Sequence, residues 1–185
     1  MSTILNLGHQ IHQIDVFEQG RPERTSCYVI GAEKVAIIET GASPGICCLL
    51  DALKSLGIPA ERVKYIIVTH IHLDHSGGAG QLARELPESR IIVHPRGARH
   101  LIDPSRLVAG ARTLYGECFD EYFGEILPVP AERVDTPEDG KVLDLGDGRT
   151  LKIYHAPGHA RHHLVVHGPM SRGVFSGDAV GSCYP

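Results

Sequence analysis

Tryptophan is absent from the sequence, and Tyr (6) and Phe (4) are few. The chain therefore offers no row of aromatic faces on which single-stranded bases could stack. It also lacks an excess of charge of one sign: 18 Lys and Arg stand against 22 Asp and Glu, a formal charge of −4. That balance argues against broad nucleic-acid binding and against an anionic membrane surface, although it leaves room for a local basic patch. No apolar run reaches the length of a membrane span, and no charged segment precedes an apolar one at the N-terminus. Neither a span nor a signal peptide is expected. Cysteine is sparse and unpaired in pattern. Cys27, Cys47, Cys48, Cys118 and Cys183 are odd in number and show no C-x-x-C spacing. A disulfide framework and a Cys-rich zinc site are both disfavoured. Reduced, mainly structural thiols fit a cytoplasmic protein. The 185 residues suffice for one domain, 1–185, with a sizeable core.

Histidine is abundant, with 12 in the chain. Most cluster around residues 70–75 and 155–167, and clustering of a common metal ligand matters more than its total. The densest stretch is Thr69-His70-Ile71-His72-Leu73-Asp74-His75-Ser76-Gly77-Gly78. It follows Tyr65-Ile66-Ile67-Val68, a short, β-branched, continuous apolar run that reads as a buried strand. Ligands gathered just past such a strand lie at the sheet edge where open α/β proteins place their sites.

The rest of the chain alternates between strand and helix patterns. One or two strands are predicted over residues 3–17. A hairpin joins Cys27–Ile30 to Val35–Ile38 through Gly31-Ala32-Glu33-Lys34. Helical spacing runs from Pro44 to Leu56, with Ser43 as N-cap and Gly57 as the stop. A strand over Val63–Val68, a helix over Gly80–Leu86, a strand over Arg90–Val93 and a helix over Pro95–Ile102 follow. Residues 106–127 read as one or two helices with a gap at Gly116, their aromatic face packed on the core rather than forming a lid. Residues 128–141 read as a loop. Short strands then cover Val142–Leu145, Leu151–Tyr154, Leu164–His167 and Gly173–Phe175. No short repeat or low-complexity tract is present. This order implies an α/β protein with mixed sheets and outer helices.

Two later turns repeat the design of the histidine stretch. Ala156-Pro157-Gly158-His159 follows one strand, and Phe175-Ser176-Gly177-Asp178 follows another. One metal could take His70, His72 and His159, a second could take Asp74 and His75, and Asp178 could bridge the two. Such a set leaves positions for water, as catalytic metal centres do.

Taken together, the motifs at 69–78, 156–159 and 176–178, in this order and at these separations, resemble the metallo-β-lactamase-fold superfamily. Within it the chain looks most like the glyoxalase II-type and uncharacterised hydrolase branches. The resemblance implies an αβ/βα sandwich of two mixed β-sheets with outer helices. It also implies a dinuclear centre, usually zinc, with iron or manganese in some members, and the ligand assignment just given. Three departures stand out. The family adds a further histidine to the second metal downstream of the bridging Asp, and no residue here matches it before Pro185. The family sandwich continues past that point, so the C-terminal part of the fold is expected to be missing. Glu39 stands where the family often has Asp before Thr-Gly, and it is expected to support the ligands from behind.

His163 lies four residues past His159, where glyoxalase-like relatives also carry His, and a supporting role is expected. His162 and His167 read as surface or strand-face residues and His155 as structural. His9, His12, His94 and His100 have no partner by spacing. Arg96, Arg99 and Arg106 read as a solvated helix face, with recognition of an anionic substrate group as the alternative. The expected activity is hydrolysis of a small ester-like bond by metal-activated water, a thioester ahead of a lactone or phosphoester, with Asp74 orienting the nucleophile or taking its proton. The alternatives are a mononuclear iron enzyme similar to persulfide dioxygenases and a non-catalytic metal-binding module. Flavodiiron reductases usually carry Glu at the place of His72. A small-molecule substrate is the expected partner, with no nucleic acid or membrane, and a homo-oligomer is compatible.

Overall fold

The computed structural model describes residues 3–181; Cys183, expected as a reduced thiol, and Pro185 lie outside them. A seven-stranded sheet forms the centre. Strands β1 (Ile4–Asn6), β2 (Ile11–Asp15), β3 (Ser26–Ile30) and β4 (Val35–Ile38) pair antiparallel in sequence order. Strands β5 (Val63–Ile67), β6 (Arg90–Ile92) and β7 (Val134–Asp135) then extend it in parallel from β4. A second, antiparallel sheet is built from β8 (Val142–Gly146), β9 (Arg149–His155), β10 (Leu164–Gly168) and β11 (Gly173–Phe175), in the order β11-β10-β9-β8.

The parallel strands are buried on both faces, which explains their unbroken apolar runs. Ile37, Ile66 and Ile91 enter the core on the helical side, whereas Ile38, Ile67 and Ile92 meet Leu145, Ile153 and Val166 of the second sheet. Helices α1 (Ile46–Ser55) and α3 (Ala79–Glu85) bury Leu49, Leu53 and Leu82 on the first of these faces. Helix α2 (Leu73–Ser76) is a single turn inside the histidine stretch. Helices α4 (Pro95–Ile102), α5 (Ser105–Tyr115) and α6 (Phe119–Phe123) complete the outer layer. Phe119 and Phe123 pack with Ala42 and Leu73, so the aromatic face of this segment supports the histidine stretch from outside. Among the described residues no helix is long and apolar enough to cross a membrane. Among the described residues, Cys27, Cys47, Cys48 and Cys118 form no disulfide.

Three local expectations are corrected. Ser43 does not cap α1; its hydroxyl donates to the carbonyls of Gly77 (3.0 Å) and Glu125 (2.7 Å) and ties two loops together. The 128–141 segment is not all loop. It contains β7, too short to show any period, held by an Arg90–Asp135 ion pair and by Arg133 donating to the carbonyls of Ala83, Leu86 and Ser89. Residues 73–76 are helical rather than an open turn, since the backbone N–H groups of His75 and Ser76 both donate to the His72 carbonyl.

Candidate metal centre

Each turn of the centre is locked to its neighbours through backbone. After β4, the Glu39 N–H donates to the Ile67 carbonyl (2.9 Å) and the Thr40 N–H to the His75 carbonyl (2.9 Å). The Leu164 N–H donates to the Thr69 carbonyl (2.6 Å), joining the second sheet to the histidine stretch. Gly177 closes the third side. Its φ is +49°, and a Cβ built there would lie 2.4 Å from Thr69 Oγ1, so only glycine allows this approach.

Two donor groups result. In the first, His70 Nε2 and His72 Nδ1 are 3.0 Å apart, and His159 Nε2 is 3.1 Å from the same His72 atom. In the second, His75 Nε2 lies 3.3 Å from Asp178 Oδ1. The other oxygen of Asp178 faces the first group, 3.5 Å from His159 Nε2 and 3.9 Å from His70 Nε2. Asp74 stands at the margin, its Oδ2 3.5 Å from His75 Nε2. Thr69 Oγ1 is 3.0 Å from His70 Nδ1, which holds that ring with Nε2 turned towards the other donors.

Behind these groups sit Glu39 and His163. Glu39 is only 4 % exposed and adopts φ +67°, an uncommon backbone state for a non-glycine residue. Its Oε1 accepts from the Thr69 N–H (3.3 Å) and lies 3.5 Å from His75 Nδ1, close enough for charge attraction but long for a directed hydrogen bond. His163 is fully buried, stacks on His70 at 4.8 Å, and accepts from the Asp178 N–H at Nε2 (3.2 Å).

His162 corrects the reading from sequence. It is half-buried and tied to the histidine stretch: its Nδ1 accepts from the Ile71 N–H (3.4 Å) and its ring lies 5.9 Å from that of His72. Burial, with His72 beside it, pushes its pKa down to about 4. His94 finds a partner that spacing could not show. Its ring lies 4.3 Å from that of His155, and its Nδ1 accepts from the Arg96 N–H to cap α4. His155 is structural, its Nε2 2.9 Å from the Pro137 carbonyl. Thr69 was missed as a functional residue, although its place directly before His70 was a usable signal.

The donor set fits a divalent metal better than it fits protons. Within the triads His70, His72, His159 and His70, His75, Asp178, the donor atoms all lie within 4.8 Å of one another. Separations near 3 Å suit neighbouring donors that share one cation at about 2.0–2.1 Å. Burial, followed by the nearby His75, His72, His163 and His159 rings, drives the His70 pKa far below its ordinary value. Burial opposes charge on His75 too, yet Glu39, Asp74 and Asp178 outweigh it and raise that pKa to about 9. Positive charge is thus favoured among the carboxylates and refused by the buried ring. Among the described residues, Glu39 Oε2 and His75 Nδ1 are buried without a hydrogen-bond partner. A cavity of about 640 Å³ adjoins Asp74, His75 and Asp178, with Ile11, Tyr28 and Phe175 in its wall.

Comparison with known proteins follows the same lines. The chain is 27% identical over 180 residues to the metallo-beta-lactamase fold-containing protein ST1585 of Sulfurisphaera tokodaii, covering 94% of this chain and 64% of that one. It is 30% identical over 178 residues to the acyl-coenzyme A thioesterase MBLAC2 of Homo sapiens, covering 82% of this chain and 56% of that one. The crystal structure of ST1585 superposes with a TM-score of 0.76 at 26% identity, over 95% of this chain and 66% of that one. The chain thus spans less than two thirds of the length of these curated relatives. The family model described as metallo-beta-lactamase superfamily matches residues 20–184, from before the first hairpin to beyond Asp178, and the chain belongs to that superfamily.

Proposed function

We propose that this centre carries metal-dependent hydrolysis of a small ester-like substrate, with a thioester ahead of a lactone or phosphoester. The observation that carries the reading is the Asp178 carboxylate, which turns one oxygen to each of two donor groups beside an open cavity. The thioester preference is supported by the 30% identity to a protein named an acyl-coenzyme A thioesterase. His70, His72 and His159 would hold one metal, Asp74 and His75 the second, and Asp178 would touch both, with zinc the proposed ion at both positions. When bound, such metals lower the pKa of water and polarise a carbonyl oxygen.

The chain's own groups supply the rest. Asp74 is about a third exposed at the cavity wall, placed to orient the attacking water and accept its proton. Glu39 places a negative charge behind His75, and His163 holds the Asp178 turn through the Asp178 N–H. The mixed apolar and polar wall of the cavity would receive the acyl portion.

Elemental analysis of protein purified without added metal, followed by a thioester turnover screen, tests this reading. About two zinc ions per chain with turnover is the expected result. About one iron per chain would replace it with an oxidative enzyme. Failure to take up metal, or metal uptake without hydrolysis, would overturn it for this chain.

A further inference from the structure

A second cleft, of about 420 Å³, shares no lining residue with the large cavity. Pro95, Arg96, Arg99, His100, Arg161 and His162 line it. No acidic residue is among them. Arg96 and Arg161 make no side-chain hydrogen bond or ion pair with any described residue, and Arg99 donates only to His100 Nε2 (3.1 Å). Arg106, grouped by sequence with Arg96 and Arg99, is not in the lining; Arg161, distant in sequence, takes its place. Three guanidinium groups therefore share this cleft with no carboxylate in its lining.

The cleft is built by close packing. A Cβ at Gly97 would lie 2.8 Å from Ile71 Cγ2 and 3.0 Å from Val93 Cγ2. Glycine there lets α4 settle directly on the residue between His70 and His72. Arg96 and Arg99 are thereby brought beside the 159–163 turn. His162 belongs to both places: it lines the cleft, and its ring stands 5.9 Å from that of His72.

We propose that this cleft is an anion subsite that binds a phosphate group on the thiol half of the substrate. Guanidinium groups present planar paired donors that match phosphate oxygens, and the positive end of α4 adds to the field. The proposal rests on the hydrolase reading above. It adds a direction: the acyl portion lies towards Tyr28 and Phe175, and the phosphorylated portion lies towards Arg96 and Arg161. The phosphate could belong to a coenzyme A-type thiol or to a phosphopantetheine arm.

The test compares metal-loaded wild type with Arg96→Ala/Arg161→Ala. Inorganic phosphate binding is measured by calorimetry. Steady-state kinetics use acyl-coenzyme A, S-acyl-phosphopantetheine and S-acyl-pantetheine carrying one acyl group. Both arginines are exposed, and circular dichroism and metal content check that the variant is intact. Phosphate affinity is expected to fall about tenfold, with KM for the phosphorylated thioesters rising by a similar factor and kcat little changed. S-acyl-pantetheine should be unaffected. A rise confined to acyl-coenzyme A would assign the phosphates of the nucleotide; a rise for both phosphorylated substrates would assign the phosphopantetheine phosphate. In wild type, added salt should raise KM for the phosphorylated substrates alone. Equal phosphate binding by both proteins, or an equal KM change on S-acyl-pantetheine, overturns the subsite. Phosphate binding that depends on the arginines without turnover of any thioester keeps the subsite and rejects the thioester reading instead.

Discussion

Gly177→Ala places one methyl group where the third turn meets the histidine stretch. Its Cβ would sit 2.4 Å from Thr69 Oγ1, 2.9 Å from Thr69 Cβ and 3.0 Å from His163 Nε2. Two costs combine. Alanine at φ +49° pays the left-handed penalty of about 1–2 kcal/mol, and overpacking adds about 1–3 kcal/mol. The expected loss of stability is therefore about 2–5 kcal/mol, a large share of what a domain of this size has. The same displacement disturbs the partner of His70 Nδ1 and the acceptor of the Asp178 N–H, so metal uptake should weaken along with the fold. Urea unfolding of the metal-free protein gives the first quantity and zinc competition titration the second. Gly110→Ala is the control. Gly110 lies within α5 with nothing within 4 Å of the added Cβ, so the methyl should stabilise by about 0.5–1 kcal/mol. A Gly177→Ala loss below about 0.5 kcal/mol with unchanged zinc affinity would refute the claim that close approach at Thr69 sets the geometry of the centre.

Asp178→Asn keeps the shape of the side chain but removes the charge facing both donor groups; metal per chain should drop by elemental analysis, and hydrolysis should fall about 100-fold or more. Thr69→Val removes the hydroxyl beside His70 Nδ1 and should weaken zinc affinity about 10- to 100-fold in a competition titration, while the circular dichroism spectrum stays unchanged. Metal-free protein should show a stability maximum near pH 6.5. His162, depressed to about 4, contributes stability that is full above the unfolded-state value of about 6.5 and is lost as pH falls through 4. His75, raised to about 9, contributes stability that is full below about 6.5 and is lost as pH rises through 9. Urea midpoints across pH check both limbs, and Glu39→Gln, which removes the largest cause of the raised His75 value, should flatten the alkaline one; a flat profile in the parent protein would show that neither imidazole is coupled to folding.

Much of this molecule is written in local patterns. The apolar run Tyr65–Val68 marks a strand buried on both faces because only such a strand needs side chains of one kind on both sides. Helical spacing located α1, α3 and α4 to within a residue or two, and the break at Gly116, where φ is +56°, separates α5 from α6. The three ligand-bearing turns were legible for the same reason. Each combines a strand end with glycine or proline and a donor, and adjacency along the chain is enough to show it.

Contacts between turns carry no such record. That Asp178 faces both donor groups depends on how β11 pairs with β10 and on Gly177 reaching Thr69. His162 and His163 are neighbours in sequence, yet one reaches the Ile71 N–H beside the arginine cleft and the other stacks on His70 and holds the Asp178 turn. Composition cannot tell such a pair apart. Ser43 looked like a cap, but its hydroxyl was claimed by two carbonyls from distant loops. Arg96 and Arg161 share a cleft only because α4 rests on Ile71. The sequence by itself determined which donors exist and which strand ends carry them, since covalent neighbours stay together in any fold. Only the tertiary structure decided which of those donors face each other and which charges stand unpaired beside them, because sheet register and side-chain packing bring together residues that the chain keeps far apart.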